Sequence, residues 1–125
     1  MNFLDHLFII ESIDNTDSGF SVKLCCNPDH PVYQSHFPDN PITPGACLLQ
    51  TAGELLQQKT GRPLHLKASK NIKFLSTLIP SAGKEVDFRF SSLTETDTEC
   101  KAKVVIAGEN VVYSKMSLIY SYERL

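Results

Sequence analysis

The chain holds 125 residues, 42% of them hydrophobic and 21% charged, which is enough for one ordinary core, excludes a multi-domain reading and places residues 1–125 in a single domain. Lys and Arg number 12 against 14 Asp and Glu, a net charge of −2, so the basic excess of a nucleic-acid binder is missing and that partner class is excluded. No apolar run approaches the ~20 residues of a membrane helix; the short apolar stretch at the start has no preceding Lys or Arg, and neither a signal peptide nor a membrane association is expected.

In chain order, the first clear element runs from Gly19 to Cys26, where Phe20, Val22, Leu24 and Cys26 alternate with Ser21, Lys23 and Cys25. That is the period of a half-buried strand. The side chains of the adjacent Cys25 and Cys26 then point to opposite faces, which no zinc site uses, and they are expected as core and surface respectively. Five of the seven prolines (Pro28, Pro31, Pro38, Pro41 and Pro44) follow closely. They rule out a regular central strand and predict a stiff, irregular loop of the kind that carries functional residues.

One helix is predicted from about Gly45 to Thr60, with Pro44 at its start and Gly61 and Pro63 beyond its end. Leu48, Leu49, Ala52, Leu55 and Leu56 form its apolar side, and Gln50, Thr51, Glu54, Gln57 and Gln58 its polar side. Cys47 lies in the first turn, where the helix dipole favours a thiolate, but a small apolar core role is the stronger reading. Further on, Val86, Phe88 and Phe90, then Cys100, Ala102, Val104 and Ile106, then Val112, Met116, Leu118, Tyr120 and Tyr122 each keep one parity. With a turn at Ala107-Gly108-Glu109-Asn110, the C-terminal half reads as an antiparallel meander. The four cysteines form no CxxC pair, so reduced thiols in a cytoplasm are expected. His30 and His36 have Asp29 and Asp39 nearby, yet the spacing fits no zinc pattern, and neither metal nor cofactor is expected.

The string His36-Phe37-Pro38-Asp39-Asn40-Pro41-Ile42-Thr43-Pro44-Gly45 carries the chemistry. It puts an imidazole on a proline-stiffened loop just before a helix N-terminus, whose free N–H groups bear roughly half a positive charge. A base beside such donors suits proton removal next to a carbonyl, the N–H groups holding the oxyanion. Glycine at 45 lets a substrate approach the backbone.

HFPxNPIxPG followed by an amphipathic helix resembles the 3-hydroxyacyl-acyl-carrier-protein dehydratases of fatty-acid synthesis. The likeness continues more weakly through Ile72-Lys73-Phe74-Leu75 and Ile79-Pro80. It implies an α+β hot-dog fold, an antiparallel sheet wrapped around one long helix. It also implies a homodimer or higher homo-oligomer, with an interfacial tunnel for an acyl-phosphopantetheine on acyl carrier protein. His36 matches the family's catalytic histidine. Phe37, Pro44, Gly45 and Ala46 fall where substrate is bound, with the backbone at Gly45 and Ala46 polarising the thioester carbonyl. The family's acid lies fourteen residues past the histidine, and here that position holds Gln50. Glutamine can hold a hydroxyl by hydrogen bonds and cannot exchange a proton near neutral pH. The family's order is acid first and glutamine one turn later; this chain reads Gln50 and then Glu54, so Glu54 is the local candidate to protonate a departing hydroxyl.

The expected activity is therefore elimination of water from a 3-hydroxyacyl thioester, with His36, Gln50 and Glu54 at the site. Elimination with His36 as base and then as acid is a variant. Two other readings fit the same fold: an acyl thioesterase, and a non-catalytic acyl-binding or partner subunit that has lost the acid at position 50.

Overall fold

Alternation of large apolar and polar residues builds the sheet, because only one of its faces is covered. The computed structural model describes residues 2–35, 39 and 41–123. Its elements are β1 (Phe8–Thr16), β2 (Gly19–Cys26), α1 (Val32–Ser35), α2 (Gly45–Thr60), β3 (Leu64–Phe74), β4 (Glu85–Glu95), β5 (Glu99–Gly108) and β6 (Val111–Tyr122). The strands form one sheet in the order β1-β2-β4-β5-β6-β3, every neighbouring pair antiparallel. The predicted strands, their meander and the single long helix are thus in place. The hairpin turn is tighter than expected, with Ala107 and Gly108 still paired in β5 and Asn110 carrying the left-handed backbone at φ 60°.

Cross-strand neighbours on the covered face interlock in rows. Val22 pairs with Phe88 and Phe88 with Ile106; Phe20 pairs with Phe90 and Phe90 with Val104. The Phe20 and Phe90 rings stack at 4.4 Å between centroids, and Phe8 meets Phe88 edge to face at 5.9 Å. Against this face α2 buries Cys47, Leu48, Thr51, Ala52, Glu54, Leu55 and Leu56. Gly61 ends the helix at φ 70°, its N–H returning to the Gln57 carbonyl, in the left-handed cap that glycine adopts without a Cβ penalty.

Three expectations change. Thr51 and Glu54 belong to the buried side of α2, not to a solvated polar face. Each is admitted by a bond that periodicity does not show: Thr51 Oγ1 donates to the Cys47 carbonyl at 2.7 Å, and Glu54 accepts backbone N–H groups from the start of the chain. The two adjacent cysteines are inverted, since Cys26 shares parity with Phe20, Val22 and Leu24 and is buried, while Cys25 is only half-buried. No helix among the described residues is long and apolar enough to cross a membrane.

The opening of β2 tolerates no side chain. A Cβ on Gly19 would fall 2.2 Å from the Phe90 carbonyl oxygen, a backbone atom that cannot rotate aside. Gly19→Ala is therefore expected to destabilise the fold by about 1–3 kcal/mol, as overpacking does. An unchanged denaturant midpoint would contradict this close approach.

Candidate functional site

The loop entering α2 is pinned from both sides. The Thr43 N–H donates to the Leu78 carbonyl at 2.8 Å, and the Thr43 hydroxyl meets the Tyr33 hydroxyl at 2.8 Å. Burial pushes the Tyr33 phenol up to about 12, so it is a neutral hydrogen-bonding group. Pro44 then takes extended geometry (φ −61°, ψ 143°), and no side chain among the described residues caps the helix. Its carbonyl accepts the amides of Cys47 and Leu48. The amides of Gly45 and Ala46 belong to the first turn, which has no intrahelical acceptors.

A cleft of about 310 Å³ opens here, lined by Thr43, Pro44, Gly45, Leu48, Phe74 and Leu75 among others. The Phe74 ring lies against Gly45, where a Cβ would come 2.6 Å from the ring. Phe74 is 57% exposed all the same. Farther along α2 a groove of about 180 Å³ runs between the helix and β3 and β6, lined by Leu49, Gln50, Gly53, Leu66 and Tyr120 among others. Gly53 permits the close approach, since a Cβ there would meet the Tyr120 hydroxyl at 3.1 Å.

Of the expected site residues, Pro44, Gly45 and Ala46 form the helix start, and Gln50 and Glu54 lie one and two turns on. His36 and Phe37 lie outside the described residues. Gln50 lines the groove, and its Nε2 donates to Glu54 Oε2 at 3.2 Å. Glu54 is 5% exposed. Its Oε1 accepts the N–H groups of Phe3 at 2.8 Å and Leu4 at 3.1 Å, and its Oε2 also accepts Phe3 N–H at 2.9 Å. The carboxylate expected to protonate a leaving hydroxyl is thus turned toward the backbone of the N-terminal turn. The chain pattern gave no signal for this partnership, because the donors are main-chain amides of residues distant in sequence.

The remaining candidates have structural partners. Cys47 is buried, and that burial raises its thiol pKa. His30 accepts the Val32 N–H on Nδ1 at 3.0 Å and presents its ring to Phe3 at 5.9 Å. Burial, and then the neighbouring His6, lower its pKa. No three His, Cys, Asp or Glu side chains among the described residues come together as a metal site.

Comparison with known proteins decides the family. The ApeI-like family, described as ApeI dehydratase, matches residues 12–115. The chain belongs to the ApeI-like dehydratase family. Curated relatives of this ApeI-like chain include the 3-hydroxyacyl-acyl-carrier-protein dehydratase FabZ of Brucella ovis, 42% identical over 80 residues that cover 57% of this chain and 50% of the relative. FabZ of Rhizobium leguminosarum bv. trifolii is 32% identical over 108 residues, covering 77% of this chain and 66% of the relative. The chain spans about half the length of the Brucella relatives it matches. Among solved structures, the dehydratase heterocomplex ApeI:P of Xenorhabdus doucetiae superposes with a TM-score of 0.72 at 15% identity, covering 91% of this chain and 97% of that one. A hypothetical thioesterase of Streptococcus pneumoniae TIGR4, solved with coenzyme A, gives 0.65 at 13% identity, covering 93% and 85%. These neighbours share the hot-dog fold, which the ApeI-like chain adopts.

Proposed function

We propose that this chain eliminates water from 3-hydroxyacyl thioesters carried on the phosphopantetheine of acyl carrier protein, giving the 2-enoyl thioester. The observation that supports it is the start of α2, uncapped by any side chain among the described residues, at a cleft and at the end of the HFPxNPIxPG string, in a chain of a dehydratase family. Phe37, Pro44, Gly45 and Ala46 line the bound thioester, whose carbonyl oxygen takes the amides of Gly45 and Ala46. His36 removes a proton from the carbon next to that carbonyl. The charge that develops on the oxygen is held by the two amides and by the positive end of the helix. As the double bond forms, the C–O bond at the next carbon breaks, and the imidazolium returns its proton to the departing hydroxide. Water leaves and His36 is neutral again, so no second acid enters the balance.

Gln50 holds the hydroxyl in this scheme. Glu54 does not supply the proton, because its oxygens are engaged by Phe3, Leu4 and Gln50. A homodimer accompanies the activity: β3 is an edge strand, and Leu66 on it and Phe74 at its end are 45% and 57% exposed. Such an edge and its apolar residues are covered in a stable protein, here by a second copy.

Incubation with a 3-hydroxyacyl and a saturated acyl thioester tests the reading. Absorbance of the conjugated enoyl product is expected from the first and no free thiol from either. Thiol release would favour a thioesterase, and binding without either product a non-catalytic acyl-binding subunit.

A further inference from the structure

We infer that the groove between α2, β3 and β6 takes the distal part of an acyl chain that carries an oxygen atom, and that the Tyr120 hydroxyl is the donor that selects for this oxygen. The inference rests on the dehydratase reading and deepens it: it names a class of acyl group, oxygenated beyond its third carbon, and a residue that discriminates for it.

Strand pairing fixes where Tyr120 stands. It faces Leu66 on β3 and Cys100 on β5, and it shares parity on β6 with the buried Met116, Leu118 and Tyr122. The ring therefore lies on the covered face of the sheet, and Tyr120 is 4% exposed. Its hydroxyl reaches α2 at a residue without a side chain, since a Cβ on Gly53 would fall 3.1 Å from the phenol oxygen. Gly53 is three residues past Gln50, a step of about 4.5 Å along the helix axis.

The hydroxyl at that point has no hydrogen-bond partner among the described residues. Every enclosed side-chain oxygen among them does have one, so the Tyr120 oxygen is open to the groove of about 180 Å³ that the residue lines with Leu49, Leu64 and Leu66. Tyr33 and Tyr122, likewise buried, give their hydroxyls to Thr43 and Glu95. Other polar groups along the groove are engaged: the Glu54 carboxylate accepts Phe3 and Leu4, and Gln57 Oε1 accepts the Leu64 N–H at 2.9 Å. Burial raises the Tyr120 pKa, so the phenol keeps its proton and remains a donor. A donor left unmet in such a place costs free energy, which an acceptor in the groove restores.

The occupant's chemistry follows from these walls. Three leucines suit a hydrocarbon chain, and the unmet phenol between them suits an ether, carbonyl or hydroxyl oxygen within it. A methylene at that depth leaves the donor unsatisfied, and a site built to hydrogen-bond an atom discriminates against the analogue that lacks it.

Equilibrium binding of pantetheine thioesters tests this without turnover. The probes are dodecanoyl pantetheine and analogues in which an ether oxygen replaces one methylene at successive positions beyond the third carbon. With the wild-type chain the oxygen is expected to weaken binding at most positions, where apolar walls meet it. At one position the affinity is expected to equal or exceed that of dodecanoyl. In Tyr120→Phe that analogue is expected to lose about 10-fold relative to dodecanoyl, as for one hydrogen bond. A wild-type series with no favoured position would overturn the proposal, whether or not the variant folds. So would a favoured position that survives in Tyr120→Phe, or an unchanged ratio in a variant whose dimer separates on gel filtration, because the hydroxyl would then serve the contact between copies. Absence of enoyl product from 3-hydroxydodecanoyl pantetheine, with the favoured position intact, would instead sink the dehydratase reading and leave the groove as the oxygen-selective site of an acyl-binding protein.

Discussion

His36→Ala is expected to lower dehydration of a 3-hydroxyacyl thioester by at least ~100-fold while leaving the affinity for a saturated acyl thioester and the thermal midpoint unchanged. General acid–base assistance is worth about 10²- to 10⁴-fold. In the proposed elimination one imidazole provides it twice, first taking the proton beside the carbonyl and then returning it to the departing hydroxide. No neighbour replaces it in this scheme: Gln50 cannot exchange a proton near neutral pH, and Glu54 is held by the amides of Phe3 and Leu4. The helix amides of Gly45 and Ala46 would survive the substitution, so a residual rate from oxyanion stabilisation is expected above the uncatalysed one. Saturation kinetics in both directions, with an acyl-binding measurement alongside, would check it. Loss of binding in step with loss of turnover would show that His36 shapes the cleft and does no chemistry.

Phe88→Ala is expected to remove about 3–5 kcal/mol of stability, the usual cost of emptying a phenylalanine site in a core. Phe88 is fully buried on β4, between Val22 on β2 and Ile106 on β5, with Phe8 against its edge. Domains of this size have about 5–15 kcal/mol in all, so the variant would sit near the margin of folding. Leu48, Ala52 and Leu55 of α2 belong to the same buried cluster, so the core that Phe88 fills is the one on which α2 rests. Urea denaturation should show a lower midpoint at an unchanged slope. A loss well under 1 kcal/mol would mean that the core collapses around the gap and that the helix is held by something else.

The parts of this molecule legible in its sequence are those whose side chains meet a single partner surface. Phe20, Val22 and Leu24 alternate because one face of β2 is covered, and the same holds for β4, β5 and β6. β1 escaped notice because, beyond Phe8, its residues are exposed or half-exposed and carry no alternation. β3 is the other edge, mostly exposed, and only Ile72 to Phe74 of it entered through the family resemblance. The helix was legible from its caps and leucines, yet Thr51 and Glu54 were assigned to the wrong side. Polarity marks a residue as exposed only when no buried partner awaits it, and the partners here are main-chain groups. For the same reason the N-terminal turn that holds Glu54 left no trace in the pattern. The inversion of Cys25 and Cys26 has a plainer cause: the parity that buries Phe20 also buries Cys26.

Reversal of the reaction in deuterium oxide examines the central claim most directly, because it follows the proton that His36 is proposed to carry. Given a 2-enoyl thioester, the wild-type chain should return a 3-hydroxyacyl thioester with deuterium on the carbon beside the carbonyl, and His36→Ala should form it at least ~100-fold more slowly. Recovery of unaltered enoyl thioester from the folded wild-type chain, or release of free thiol in its place, would contradict the account.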